Sequence, residues 1–169
     1  MRYSLFLALC LCFIFCVGCS YSVFLNVYPH LRTIHISPFE NMTSEYALAQ
    51  DFQNYLANKF QGDGRMRVAT LSPDARIEGS VMDYREDILS YDIGGNVSEY
   101  RVSILFSITM TDLVYSEVLY ENAALLISEP YSTTIDSDNP QILTSATQAQ
   151  EKIFERVFDT IIKNTLESW

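Results

Sequence analysis

The feature that most constrains the fold is a run of strict alternation near the middle of the chain. Between Arg101 and Thr111 an apolar residue occupies every second position, and the positions between them are polar except for Leu105. Successive side chains of a β-strand point to opposite faces of its sheet. The segment therefore predicts a long strand with one buried face and one face rich in hydroxyl groups. The apolar positions are Val102, Ile104, Phe106, Ile108 and Met110.

Shorter patterns predict the rest of a sheet. Alternating residues indicate strands at 33–39, 65–70, 76–84 and 118–126, and Pro38 marks the first of these as an edge strand or its end. The segment 91–96 contains Gly94 and Gly95, which predicts a turn between two strands. Residues 129–144 carry two prolines and several polar residues, so they are expected to form a loop.

Two segments have the periodicity of amphipathic helices. The first is expected to start at cap candidates within 41–44, to run for about four turns and to stop at Gly62-Asp63-Gly64. Its apolar stripe is Leu48, Phe52, Tyr55, Leu56 and Phe60. The second spans 145–166 and has a wider apolar face, which either covers the sheet entirely or meets a partner protein in part. That face consists of Ile153, Phe154, Val157, Phe158, Ile161 and Ile162.

This order of elements predicts an α+β fold. We expect a mixed, largely antiparallel sheet of four to five strands with two helices packed on one face, in the order β-α-β-β-β-β-α. No third helix is available for the other face of the sheet. That face therefore meets either water or another molecule.

The start of the chain reads as a lipoprotein signal. Arg2 is followed by an apolar run that is too short to span a bilayer, and Gly18 precedes Cys19 as a small residue at a cleavage site. The position three before Cys19, usually Leu, is Cys16. We expect residues 1–18 to be removed, Cys19 to be lipidated, 19–31 to form a tether and 32–169 to form one domain. A plain signal peptide and a signal-anchor helix are the alternatives.

Charge and cysteine content exclude several classes of function. The chain has a net charge of −10, and removal of Arg2 with the signal makes the mature chain one unit more acidic. Nucleic-acid binding and a polybasic membrane patch both require clustered cations, so neither is expected. The four cysteines all lie at or before Cys19, so the mature domain has no disulfide available.

No arrangement of residues indicates catalysis, a metal or a cofactor. His30 and His35 have no nearby nucleophile, and two scattered histidines do not form a zinc site. Glu86 and Asp87 would point to opposite faces of an extended strand, so they cannot act as an acid–base pair. The acidic segment 136–139 lacks the spacing of a calcium loop. The chain is therefore interpreted as a binding or assembly protein rather than an enzyme.

Several segments, in order and spacing, resemble the LPS-assembly lipoprotein LptE family. They are Gly18-Cys19-Ser20-Tyr21, Thr33-Ile34-His35-Ile36, Phe39-Glu40-Asn41, Gly62-Asp63-Gly64-Arg65, Glu78-Gly79 with Tyr84, Ser90-Tyr91-Asp92, Gly95-Asn96-Val97-Ser98-Glu99-Tyr100-Arg101, Asp112-Leu113 and Leu119-Tyr120-Glu121. The resemblance covers most of 18–126 and the final helix.

This resemblance implies a lipid-anchored protein at the periplasmic face of the outer membrane. Its partner would be the LptD β-barrel, whose lumen it plugs from the periplasmic side, and it would assist barrel assembly and the insertion of lipopolysaccharide into the outer leaflet. Ser20 after the lipidated cysteine is consistent with sorting to the outer membrane. The alternative is a free-standing lipoprotein of the cell envelope that binds a lipid or glycan between helices and sheet.

The candidate contacts for the barrel or for lipopolysaccharide are Asn96, Tyr100, Arg101 and Arg85. The predicted turn at 91–96 has no basic residue, so it cannot by itself hold lipid phosphates. Arg85 and Arg101 are the nearest bases, and either could pair with phosphate. Each could instead pair with a local carboxylate such as Glu86, Asp87 or Glu99.

Overall fold

The computed structural model describes residues 28–134 and 142–167, which form a sheet and two helices. The elements are β1 (Thr33–Ile36), β2 (Glu40–Asn41), α1 (Leu48–Asp63), β3 (Arg67–Val68), β4 (Ala75–Tyr91), β5 (Val97–Asp112), β6 (Glu117–Ser132) and α2 (Ala146–Thr165). The expected signal, Cys19, most of the expected tether and the segment 136–139 lie outside the described residues. Within these residues no helix is both long and apolar enough to cross a membrane.

The sheet is mixed, and its strand order is β3-β1-β4-β5-β6, with β2 beside β4. The parallel pairs are β1 with β3, β1 with β4 and β2 with β4. The long strands pair antiparallel over most of their length, β4 with β5 and β5 with β6. The predicted α+β class and helix placement are confirmed. The sheet has six strands because the two-residue strand β2, which the sequence pattern did not reveal, pairs with β4.

The β4–β5 hairpin is the longest pairing in the molecule. Its register runs from Ala75 opposite Asp112 to Tyr91 opposite Val97, and bulges interrupt β4 near Val81 and Ser90. The predicted strands at 76–84 and 101–111 are therefore much longer than their alternation suggested. The extra length lies toward the turn, where the hairpin extends beyond the helices and exposes both faces.

The core lies between the helices and one face of the sheet. All five apolar residues that alternate along β5 are completely buried. Phe52 of α1 contacts Phe106 of β5 and Phe154 of α2, with ring centroids 4.7 and 5.2 Å apart. The apolar face of α2 is buried as well, so this face covers the sheet rather than meeting a partner. Ser145 caps α2 by accepting a hydrogen bond from the Gln148 N–H.

The predicted cap of α1 is wrong, although its predicted end is confirmed. The helix begins at Leu48 after Ala47, and no side chain caps it. Asn41 instead stabilises the preceding turn, because its Nδ2 donates to the carbonyl of Glu45 at 2.8 Å. Gly64 ends the helix with a φ of +76°, a conformation that glycine adopts without steric cost.

The loop predicted at 129–144 begins later than expected. Strand β6 continues to Ser132, and Tyr131 pairs in register with Tyr100. Pro130 is tolerated because β6 is the edge of the sheet. Glu129 points toward the helices and pairs with Arg156 of α2. Long-range pairing therefore overrides the local turn signal of this segment.

Gly79 permits the close approach of β4 to β5, and its replacement by alanine should weaken the fold. A Cβ at this position would lie 1.9 Å from the carbonyl oxygen of Ser107, which is fixed in the sheet. We expect Gly79→Ala to lower the free energy of unfolding by about 3 kcal/mol, as overpacking does. Urea unfolding followed by circular dichroism measures this change.

Gly62 provides a matched control, because a Cβ there meets no atom within 4 Å. Gly62→Ala should leave stability unchanged or raise it by up to about 1 kcal/mol, since alanine favours helix. Equal destabilisation by the two substitutions would contradict the close approach at Gly79.

Candidate partner-binding surface

Among the described residues no element covers the face of the sheet opposite the helices, which is polar along most of β5 but also exposes Leu126 of β6. We call the part formed by β4, β5 and β6 the open face. Its β5 residues include Ser103, Ser107, Thr109 and Thr111, all only partly buried. Ser128 of β6 donates a hydrogen bond to Ser103 at 2.8 Å. Hydroxyl groups on this face are available to a polar partner, as the alternation predicted.

Arg85 and Arg101 both lie on the open face, in different electrostatic surroundings. Arg85 pairs with Asp83 at 2.6 Å, so its expected local partner exists but is not one of the carboxylates that the sequence suggested. Arg101 is opposite Asp87 in the sheet register. It is exposed and forms no ion pair with any residue in 28–134 or 142–167. Arg101 therefore remains available for an anion from outside.

Tyr100 lies on the other face of the sheet, beyond the ends of the helices. Its ring stacks on that of Tyr131, with centroids 5.4 Å apart and planes 16° from parallel. The Tyr131 hydroxyl donates to Glu86 Oε1 at 2.6 Å. Burial, followed by this hydrogen bond to an anion, raises the pKa of Tyr131. Tyr100 is thus part of a rigid aromatic pair and does not share a face with the arginines.

The turn of the hairpin is organised by Asp92. Its Oδ1 accepts hydrogen bonds from the N–H groups of Gly94 at 2.7 Å and Asn96 at 2.9 Å. The Asn96 N–H first, and then the Asn96 side chain, hold the pKa of Asp92 below its usual value. The Asn96 amide also approaches Asp92 Oδ2 at 3.2 Å. Asn96 therefore has a structural role in the turn. Its role as a contact for the barrel or for lipopolysaccharide stays a prediction.

The hairpin tip exposes apolar side chains that the sequence analysis did not single out. We define the hairpin tip as Ile88, Leu89, Tyr91 and Ile93. Ile93 is completely exposed, and each of the others exposes more than a third of its surface. No described element covers these groups, so they remain exposed. Such exposed apolar clusters commonly mark interaction sites.

At the opposite end of the sheet the partly exposed His30 pairs with the buried Asp112. His30 Nε2 lies 2.5 Å from Asp112 Oδ2, while Asp112 Oδ1 accepts from the N–H groups of Val114 and Tyr115. Leu31, the last residue of the expected tether, is completely buried in the core. The alternation of β5 places Asp112 on the buried side of the sheet. A buried carboxylate requires a partner, so this position is the signal in the sequence from which the pair could have been predicted.

The described residues do not bring the two candidate acidic residues together or assemble a metal site. Glu86 and Asp87 point to opposite faces, as expected, because their register partners are Val102 and Arg101. Across 28–134 and 142–167, no group of three or more His, Cys, Asp or Glu side chains could hold a metal ion. His35 is opposite Arg76 in the sheet.

These features define a class of protein: a small α+β domain with one face closed by helices and one polar face open for association. The chain belongs to the LptE family of lipopolysaccharide-assembly proteins, whose family model matches residues 31–165. The resemblance seen in the sequence is confirmed. The family consists of non-enzymatic lipoproteins of outer-membrane biogenesis.

Solved structures with this fold have very different sequences. The protein XCC0632 from Xanthomonas campestris is 10% identical, with a TM-score of 0.52 over 78% of this chain and 81% of that one. The hypothetical protein CT253 from Chlamydia trachomatis is 8% identical, with a TM-score of 0.51 over 78% and 93%. Both similarities concern the fold alone. No curated protein matches the chain by sequence.

The Asp112 carboxylate should make part of the stability depend on pH. Burial opposes its ionisation, but the hydrogen bonds from His30, Tyr115 and Val114 outweigh burial and hold its pKa below the usual value. Its contribution is therefore present above about pH 4 and lost as pH falls through the lowered folded-state pKa. We expect Asp112→Asn to cost about 2 kcal/mol at neutral pH.

Urea unfolding at a series of pH values between 7 and 3 tests this expectation. The Asp112→Asn variant should lose stability less steeply below pH 4 than the unmodified protein. Asp159→Asn, an exposed substitution on α2, is the control and should retain the steep loss. Parallel profiles for the unmodified protein and Asp112→Asn would show that the carboxylate carries no such contribution.

Proposed function

We propose that this protein is exported, lipidated on Cys19 and held at the periplasmic face of the outer membrane as the partner of an LptD-like β-barrel. In this role it plugs the barrel lumen, assists barrel assembly and helps lipopolysaccharide reach the outer leaflet. Membership of the LptE family supports the general role. The observation that carries the proposal is the open face, a largely polar sheet surface that no element in 28–134 or 142–167 covers.

The chemistry of the open face suits a polar barrel lumen. The interior of a transmembrane β-barrel is lined by polar side chains, so a plug requires hydrogen-bonding groups rather than a large apolar patch. Ser103, Ser107 and Thr109 offer hydroxyl groups. Charged side chains of β4, among them Glu78 and Asp87, face the same way. An inserted domain could exchange its hydrogen bonds to water for hydrogen bonds to the barrel wall.

The length of the hairpin also suits a barrel. Strand β4 has 17 residues, which at about 3.3 Å per residue gives a length of about 55 Å. The hydrocarbon core of a bilayer is about 30 Å thick. A domain aligned with the barrel axis would therefore reach from the periplasmic mouth to the level of the outer leaflet. The hairpin tip would meet the barrel at that far end.

The alternative, a lipid or glycan held between helices and sheet, has less support. Phe52, Phe106 and Phe154 are at most 3% exposed, and the Phe52 ring contacts both of the others. These three residues fill the space that such a ligand would need at the centre of the domain. Association through the outside of the sheet requires no internal space.

Extraction of the lipidated protein in mild detergent, followed by affinity purification and mass spectrometry, tests the proposal. A large β-barrel should be recovered in a ratio of about one to one, and incorporation of labelled palmitate should disappear in Cys19→Ser. Recovery of the protein without any barrel would refute the partnership, whether or not the palmitate label is present.

A bulky charged substitution on the open face should disrupt the complex. Thr109 is partly buried at the centre of this face, so Thr109→Arg places a long cation where the barrel wall would pack. We expect at least about tenfold less barrel in the purification, because a misplaced charge at an interface costs several kcal/mol. Thr147→Arg on α2 is the control and should leave barrel recovery unchanged, because Thr147 is exposed on the opposite layer.

Arg101 and Arg85 differ in whether a carboxylate already neutralises them, and this difference allows a test of phosphate binding by Arg101. Arg101 is unpaired among the described residues, whereas Arg85 is already neutralised by Asp83. We expect Arg101→Gln to reduce lipopolysaccharide recovered with the complex about tenfold, as loss of a charge-assisted hydrogen bond predicts. Arg85→Gln should reduce it less. Equal losses for both variants, or none, would remove Arg101 as a phosphate contact.

A further inference from the structure

The chain that precedes β1 meets two loops at one end of the sheet. Asp74 of the β3–β4 loop accepts hydrogen bonds from the N–H groups of Arg32 and Thr33, both at 2.9 Å. Its own carbonyl accepts a hydrogen bond from the Leu113 N–H of the β5–β6 turn at 2.8 Å. The β3–β4 loop, the β5–β6 turn and the N-terminal segment therefore form a single end, far from the hairpin tip.

The loop and the turn at this end expose several apolar side chains. Leu71 of the β3–β4 loop is 89% exposed, and Val114 and Tyr115 of the β5–β6 turn are 52% and 66% exposed. The Tyr115 ring packs edge-on against His30, with centroids 4.6 Å apart, so its position is fixed. Aliphatic groups beside a tyrosine are the combination found where proteins meet the water–membrane boundary.

Two unpaired cations lie at the same end of a strongly acidic protein. Arg32 and Arg67 are exposed, and neither forms an ion pair or side-chain hydrogen bond within the described part of the chain. Their backbones are neighbours, because the Arg67 N–H donates to the carbonyl of Arg32 at 2.9 Å. Glu117, after the β5–β6 turn, is an exposed carboxylate at this end. We define the basal surface as Arg32, Arg67, Leu71, Val114 and Tyr115.

The proposed lipid anchor would hold the basal surface close to a membrane. Nine residue steps separate Cys19 from Tyr28, the first described residue, and a fully extended chain of that length spans at most about 30 Å. A short tether raises the effective concentration of a surface at its target, so even a weak contact becomes populated.

We infer that the basal surface seats on the headgroup layer of a bilayer that contains anionic phospholipid, before a barrel captures the protein. Arg32 and Arg67 pair with lipid phosphates, while Leu71, Val114 and Tyr115 enter the boundary region. The seated domain presents its open face and hairpin tip to an arriving partner. This inference rests on the proposed anchor at Cys19 but not on the identity of the partner.

The absence of other thiols permits a direct test with site-specific probes. After cleavage and lipidation the chain has no free cysteine, so Val114→Cys and Ile93→Cys each introduce a unique site. Each lipidated variant carries an environment-sensitive thiol probe and is reconstituted, without any barrel, into vesicles of zwitterionic lipid and phosphatidylglycerol with brominated acyl chains. The probe at position 114 should be quenched, and the probe at position 93 should not.

Replacement of Arg32 and Arg67 tests the proposed electrostatic attraction between the basal surface and the anionic lipid. Each basic residue near an anionic surface contributes about a fivefold factor, so Arg32→Gln with Arg67→Gln should lower the ratio of seated to free domain roughly 25-fold. Lys152→Gln with Lys163→Gln on α2 removes the same charge elsewhere and should leave quenching at position 114 unchanged.

Two results would overturn the inference. One is an unquenched probe at position 114 in vesicles to which the lipidated protein demonstrably floats. The other is quenching at position 93 instead, which would make the hairpin tip the lipid contact. Because the vesicles contain no barrel, either result leaves the purification test of the barrel partnership intact. Failure of that purification likewise leaves the vesicle result standing.

Discussion

The pairing of β4 with β5 is the constraint on which the rest of the structure depends. From Arg101 to Thr111 the side chains of β5 divide between a completely buried row and a hydroxyl-rich row. Both helices pack on the buried row, and Phe52, Phe106 and Phe154 connect the sheet with both helices. Gly79 allows the two strands to approach, because no side chain could fit against the Ser107 carbonyl. The open face exists because the chain has only two long helices among its described residues, and both are used on the other side.

The two ends of this sheet have different chemistry, and that difference gives the domain a direction. The hairpin extends beyond the helices, so its tip remains exposed and apolar. At the other end, hydrogen bonds to Asp74 and Asp112 fix the chain that leads toward Cys19. The proposed anchor at one end and the open face running toward the other would together suit the proposed partnership with a barrel. In the proposed membrane-bound state, the basal surface contacts the bilayer and the open face remains free to bind a partner.

Local patterns succeeded where one physical rule decided the outcome and failed where distant segments competed. The helix α2 follows from its wide apolar stripe, and Gly64 ends α1 because it adopts a left-handed conformation. Pro130 and its polar neighbours suggested a loop, but pairing with Arg101 and its neighbours in β5 keeps them in β6. Asn41 resembled a helix cap and instead holds a turn several residues earlier. The exposure of the hairpin tip could not be predicted, because nothing in the local sequence distinguishes Ile88 and Ile93 from buried strand residues. Only the fold shows that no described element covers them.

The sequence by itself determined the class of fold, the family and the polar character of the open face, because these depend on periodicity and on the order of segments. Only the tertiary structure decided which candidates act together. Arg85 and Arg101 share a face, Tyr100 points to the other side, and Arg101 alone of these arginines lacks a carboxylate partner among the described residues. The pairing of His30 with Asp112, 82 positions apart, was likewise decided by the fold. Contacts between residues so far apart depend on strand register and bulges, which no local pattern encodes.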